Sequence, residues 1–174
     1  MNISGIAQAI RARIIADTGS GGVWETAGTY KAKTASYAQG PRAANAAALQ
    51  ALCPYIVYDV VSGDSGEDCF TSDVLLTTWE VNVWDDINNT TSGAEGALRG
   101  SGIIDRLYGD GIPQSTRAPT YGFHRHQLTL TTTGHASAPW ATGLVAIQRL
   151  DRAHEADFYH WTLTMNVLMS RVRT

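Results

Sequence analysis

The stretch "PYIVYDVVSGDSGEDCFTSDVLLTTWEVNVWDD", residues 54–86, decides the fold class of this chain. Its first nine residues are a run of β-branched and aromatic side chains, which predicts a strand over 54–62. Residues 72–86 predict a second strand. There Trp79, Val81 and Val83 alternate with Glu80, Asn82 and Trp84, the period of a strand with one buried face. A polar, glycine-bearing segment separates the two, so the whole reads as a hairpin, with Gly63, Asp64, Ser65 and Gly66 supplying turn conformations.

The Gly-Asp-Ser-Gly run also raises a chemical question, because it is the core of the nucleophile motif of chymotrypsin-like serine proteases. A serine nucleophile needs a base, usually a histidine oriented by a carboxylate. All five histidines (His124, His126, His135, His154 and His160) follow Ser65, the reverse of that family's order. Glu67 and Asp68 follow Gly66 and would disfavour an oxyanion. The protease reading therefore fails.

Other chemistry is equally thin. His124 and His126 lie two apart on an expected strand, 124–132, and would share a face; with His135, Asp151 or His160 they would make a metal site. No H-E-x-x-H or Cys-His spacing supports one, and an exposed or hydrogen-bonded pair is the plainer reading. The acid pairs Asp85-Asp86 and Glu67-Asp68 fall at strand ends and turns, where carboxylates serve solubility and turn formation. The run at 19–22, "GSGG", lacks the lysine and the preceding strand of a phosphate-binding loop. The expectation is no catalytic residue, no bound metal and no cofactor: the chain is not an enzyme.

Working outward from the hairpin, Ile3, Ile6, Ala7, Ile10 and Ile14 mark an amphipathic helix over 3–16. Residues 17–40 are rich in Gly, Thr, Ser and Ala, without period, and carry isolated aromatics: Trp24, Tyr30 and Tyr37. They read as a long arm with aromatic anchors. A short helix follows over 41–52, opened by Pro41. Ala94, Ala97, Leu98, Ser101, Ile104 and Leu107 predict a further helix over 90–109. Strands are expected at 143–151 and 156–172. In the last, Tyr159, Trp161, Leu163, Met165, Val167 and Met169 face one way and His160, Thr162, Thr164 and Asn166 the other. The apolar face is most simply core, with a contact to a neighbouring subunit at its distal end as the other reading.

These elements amount to one α+β domain over 1–174: an antiparallel sheet, amphipathic helices packed on one face, and long loop arms at about 17–53 and 109–143. At 174 residues, 44% hydrophobic and 17% charged, the chain can bury a core as a single unit. Its net charge of −3, with basic residues scattered, does not suggest a groove that grips a phosphate backbone. The two cysteines, Cys53 and Cys69, are too few for a disulfide framework and read as thiols, with a single bridge left open. The N-terminal residues lack the pattern of a signal peptide, and no apolar run is long enough to span a membrane.

Taken together, the parts resemble the tail completion, or tail terminator, proteins of long-tailed bacteriophages. The features that carry the resemblance are the helix at 3–16, the Pro-Tyr-hydrophobic-hydrophobic-Tyr run Pro54 to Tyr58, the polar turn Gly63 to Asp68, and the hydrophobic strand Trp79 to Trp84. The Ala/Leu/Ile helix at 93–108 and the C-terminal strands within 124–170 complete it. The segments 17–53 and 109–143 are longer than the family pattern. What the resemblance implies is a structural virion protein of the tail or neck, assembled in the host cytoplasm. Copies would form a ring, typically of six, at the head-proximal end of the tail tube. That ring would end polymerisation of the tail tube protein and join the tail to the head–tail connector or stopper, and DNA would pass through its lumen without specific binding. Closure would come from a head-to-tail interface repeated around the ring. The arm 17–40 and the loop 63–72 would reach neighbours or the tube, so Trp24, Tyr30, Tyr37, Asp64, Ser65, Glu67 and Phe70 are the expected partner-interface residues. Another neck protein, a connector or stopper, is the alternative within the same class.

Overall fold

A computed structural model of the chain describes residues 3–18, 22–24, 34–37, 46–69, 72–86, 96–109, 121–130, 142–155 and 158–172. The elements, in order, are α1 (Ile3–Ala16), β1 (Thr34–Tyr37), α2 (Ala46–Leu52), β2 (Tyr55–Cys69), β3 (Ser72–Asp86), α3 (Gly96–Tyr108), β4 (Gln127–Thr129), β5 (Thr142–Glu155) and β6 (Phe158–Val172). The six strands form one sheet in the order β1-β2-β3-β6-β5-β4. Its body is four long antiparallel strands, β2, β3, β6 and β5. The α+β class expected from the hairpin is thus the class observed.

The central pair sets the register. Along β3 and β6, Val81 lies opposite Leu163 and Trp79 opposite Met165, without a break from Ser72 to Asp86. Odd-numbered positions of both strands therefore share a face, and Trp79, Val81, Val83, Trp161, Leu163, Met165, Val167 and Met169 are all buried. Ile56 and Tyr58 of β2 join them opposite Val83 and Val81, as does Val145 of β5 opposite Val167. Ile6, Ile10 and Ile14 of α1 and Ile103, Ile104 and Leu107 of α3 belong to the same buried cluster. The polar group on this face is satisfied: the Trp79 indole N–H donates to Thr77 Oγ1 at 2.9 Å, and that hydroxyl donates to the Val167 carbonyl.

The helix α3 lies against β3 and β6, and one residue sets how closely. A Cβ on Gly100 would overlap the Trp161 ring, so only glycine lets the helix backbone rest on that indole. The helix ends at Gly109, whose φ is +111° and whose N–H donates to the Asp105 carbonyl, a glycine C-terminal cap.

The structure departs from the sequence reading in four places. Gly63, Asp64, Ser65 and Gly66 are not a turn: they continue β2, opposite Thr77, Leu76, Leu75 and Val74 of β3. Turn-forming composition loses here to a long partner strand that offers a continuous ladder. The strain is taken up by register shifts between Val60 and Ser62 and between Gly66 and Cys69. The sheet is not wholly antiparallel, because Thr34–Tyr37, inside the expected arm, pairs in parallel with Tyr55 to Tyr58 of β2. Four residues, with no alternation continued on either side, carry too little pattern to be seen as a strand. Of the expected strand at 124–132, the described residues 124–130 are strand only over Gln127–Thr129, for a backbone reason given below. Finally, Asp85 and Asp86 do end a strand, yet both are buried, so they do not serve solubility. Asp85 Oδ1 accepts the Asp86 N–H at 2.9 Å.

Candidate assembly site

The residues expected to meet partners fall into four groups. Tyr30 and Phe70 lie outside the described residues. Trp24 is half-buried and packs against the core cluster, with its N–H donating to the Asp17 carbonyl. Tyr37 ends β1 opposite Tyr58. Asp64, Ser65 and Glu67 lie together on the distal half of β2. The register also separates Ser65 from His160. Ser65 is level with Leu75 and hence Met169, whereas His160 is level with Trp84 and Tyr55, roughly 30 Å away along the strands.

Trp24 stands where it does because of a junction that the sequence does not advertise. Asp17, just past α1, accepts from Arg106 of α3 through both carboxylate oxygens, at 2.8 and 2.9 Å. It also accepts the Val23 N–H at 3.2 Å. The Arg106 guanidinium lies 3.3 Å from the centroid of the Tyr121 ring. Arg13 Nε donates to the Gly122 carbonyl at 2.9 Å, which ties α1 to the same loop. Gly122 (φ +75°) packs against Gly109 so closely that a Cβ would strike the Gly109 backbone. Burial works to raise the Asp17 pKa, but the Arg106 hydrogen bond, the Val23 N–H and the charges of Arg106 and Arg13 outweigh it and hold the carboxyl below its usual value.

His124 and His126 belong to this junction rather than to a strand. Arg125 between them has φ of 59°, a left-handed conformation uncommon for a residue with a side chain. That twist breaks strand alternation, so the expectation that the two imidazoles share a strand face does not hold. The loop is pinned from both sides: the Phe123 and His124 N–H groups donate to the Leu107 and Tyr108 carbonyls, and Arg125 N–H donates to the Val145 carbonyl. His124 stacks on Tyr108, ring centroids 5.0 Å apart. The Nδ1 atoms of both histidines are buried and find no hydrogen-bond partner among the described residues. Burial, with the charge of Arg125, lowers the His124 pKa; burial and the charge of Arg13 bring His126 to about 4. Both rings are neutral near pH 7. Among the described residues no three His, Cys, Asp or Glu side chains gather into a group able to hold a metal ion.

The second face of the sheet is polar and half-covered. On it Trp84 stacks flat on His160, its cross-strand neighbour, with centroids 3.9 Å apart and planes at 11°. His160 Nε2 lies 2.7 Å from Asn82 Oδ1, which also accepts the Thr162 hydroxyl at 2.8 Å. Farther along, Thr78 donates to Asn166 Oδ1 at 3.0 Å. Toward the distal end the face turns apolar: Leu76 and Leu168, cross-strand neighbours, are 40% and 45% exposed, and Val61 is 56% exposed. No described helix is long and apolar enough to cross a membrane.

No protein-family model matches the chain, and no curated protein matches it. Solved structures do: 28 chains match. One of them is a chain of "Virion of native gene transfer agent (GTA) particle", with a TM-score of 0.52, 13% sequence identity, and coverage of 97% of this chain and 97% of that one. The two chains are alike in fold from end to end.

Proposed function

We propose that this chain is a structural protein of a phage-like virion. In the finer reading, copies form a ring, of six subunits, at the head-proximal end of the tail tube, where the ring ends polymerisation of the tube protein and joins the tail to the head–tail connector or stopper. The observation that carries the proposal is the fold likeness, over 97% of both chains, to a chain of a gene transfer agent virion. A shared domain embedded in a larger enzyme would not give such coverage on both sides. The sequence resemblance to tail terminator proteins supports this position in the particle. The scarcity of basic residues, with a net charge of −3, suits a lumen through which DNA moves without being held.

Such a subunit needs stiffness in its body and reactivity at its margins. The four long strands and the Asp17–Arg106 junction provide the first. The arm residues Tyr30 and Tyr37, Phe70 of the segment 63–72, and the distal β2 residues Asp64, Ser65 and Glu67 are the proposed contacts for the second. A neck connector or stopper shares the same fold argument and differs only in its neighbours.

The test is assembly. Purified protein is examined by native mass spectrometry and negative-stain microscopy, alone and with tail tubes. Rings of about six copies capping tube ends and limiting tube length are expected. A protein that stays monomeric and leaves tube length unchanged overturns the proposal.

A further inference from the structure

Among the described residues, two stretches of the sheet's edge have no further strand beside them, and the two complement each other. On one side, β1 covers β2 only from Tyr55 to Tyr58. Among the described residues no strand pairs with the outer side of β2 from 59 to 69. On the other side, β4 covers β5 only from Thr142 to Leu144, and no described strand pairs with the outer side of β5 from 146 to 155. Long edges of this kind recruit further strands unless they are short, covered or blocked.

Three features fit these two edges to one another. Their lengths are nearly equal. Their directions suit an antiparallel pair: β2, β3, β6 and β5 alternate in direction, so β2 and β5 run opposite ways, and a second copy in the same orientation brings its β5 antiparallel to the first copy's β2. Their charges differ: 59–69 carries Asp59, Asp64, Glu67 and Asp68 and no base, whereas 146–155 carries Arg149 and Arg152 beside Asp151 and Glu155.

We infer that the β2 edge, 59–69, of one copy pairs antiparallel with the β5 edge, 146–155, of the next, so that the sheets of neighbouring subunits join. This contact is heterologous, and each copy offers one edge of each kind, as a closing ring requires. The covered ends lie at opposite ends of the sheet, so successive copies are offset along the strands by about 20 Å. A closed sheet absorbs such an offset as strand tilt, the same relation that governs barrels. Register shifts occur in the two flanking strands, at Val60/Ser62 and Ile147/Arg149, and none in the β3–β6 ladder. They add twist and curvature where the sheet has to bend toward the next copy. The inference rests on the ring reading for closure, while the edge pairing itself concerns two copies.

Hydrogen exchange on the full chain, free and assembled on tail tubes, tests it. Amides within 59–69 and within 146–155 slow at least tenfold together on assembly. If rings form while either stretch exchanges as in the free subunit, the edge pairing is overturned and the ring reading stands. If no oligomer forms under either condition, both fall. A charge-reversal mixture gives a second readout. Asp64→Lys with Glu67→Lys in one variant, and Arg149→Glu with Arg152→Glu in another, each reduce assembly at least tenfold, with each fold checked by circular dichroism. Mixed in equal amounts, the two variants recover assembly, because each reversed edge then meets its complement. Full assembly by either variant alone, or no recovery on mixing, counts against the pairing.

Discussion

The two faces of β3 and β6 are made by the same thirty residues and obey opposite rules. Odd-numbered positions meet α3 and the cluster that α1 shares, and Trp79, Val81 and Leu163 have no exposed surface. Even-numbered positions are half-covered and held by side-chain hydrogen bonds and one stacked pair, Trp84 on His160. The buried face owes its stability to apolar area removed from water and to close packing. The other face gains only the modest net value of hydrogen bonds that replace bonds to water. Changes on the first face should therefore be felt in folding, and changes on the second mainly in what the molecule meets.

Several substitutions would break or sharpen that contrast. The largest effect is expected for Leu163→Ala on the buried face, a loss of about 2–5 kcal/mol in chemical denaturation. A loss below ~1 kcal/mol would mean that the face is not close-packed. Gly100→Ala should cost about 1–3 kcal/mol, because the new methyl overlaps the Trp161 ring and α3 has to shift. Gly100→Ala paired with Trp161→Leu should recover part of it. On the open face, Asn82→Ala removes the acceptor shared by His160 and Thr162 and should cost about 1 kcal/mol. Leu168→Thr, at 45% exposure, should change stability by no more than about 0.5 kcal/mol. If it costs as much as Leu163→Ala, the two faces are not distinct in the way described.

The junction beside the sheet makes a prediction in pH rather than in magnitude. His126 is held at about 4, well below its unfolded value near 6.5, so the unfolded chain takes up the proton first as pH falls. Stability from this group is complete above about 6.5 and declines as pH drops toward 4. His126→Phe should flatten the stability profile in that window. Asp17 acts lower: its carboxyl is depressed, so its contribution is present above the ordinary carboxylate value of 3.8 and is lost as pH falls through the folded value. Asp17→Asn should therefore alter the profile only below the window governed by His126. An unchanged slope between pH 6.5 and 4 in His126→Phe would show that another group titrates there.

The long strands were readable because their message is redundant. In β6 six apolar side chains alternate with four polar ones, and any other register would move the whole set to the wrong side. The helix α1 was readable for the same reason, with Ile6, Ile10 and Ile14 repeating at four. Local composition misled at Gly63 to Gly66. Those residue types favour turns in isolation, but a fifteen-residue partner strand extends the ladder through them. The short β1 could not be recognised, since four residues with no periodic neighbours acquire strand geometry only from β2. Of the proposed contact residues, Asp64, Ser65 and Glu67 were singled out as a loop and lie instead on a strand.

Alternation and helical spacing along the chain thus settled the α+β class, the long strands and the side of each that turns inward, because burial of an apolar stripe is a local pattern with a global consequence. They could not settle which distant residues would meet. Asp17 and Arg106 are 89 positions apart, and nothing near either one announces the other. The left-handed Arg125, the closeness of Gly109 to Gly122 and the unequal covering of the two sheet edges likewise arise only when separate elements pack in space. Contacts of that kind depend on the shapes and charges of whole elements, and those exist only once the chain has closed upon itself.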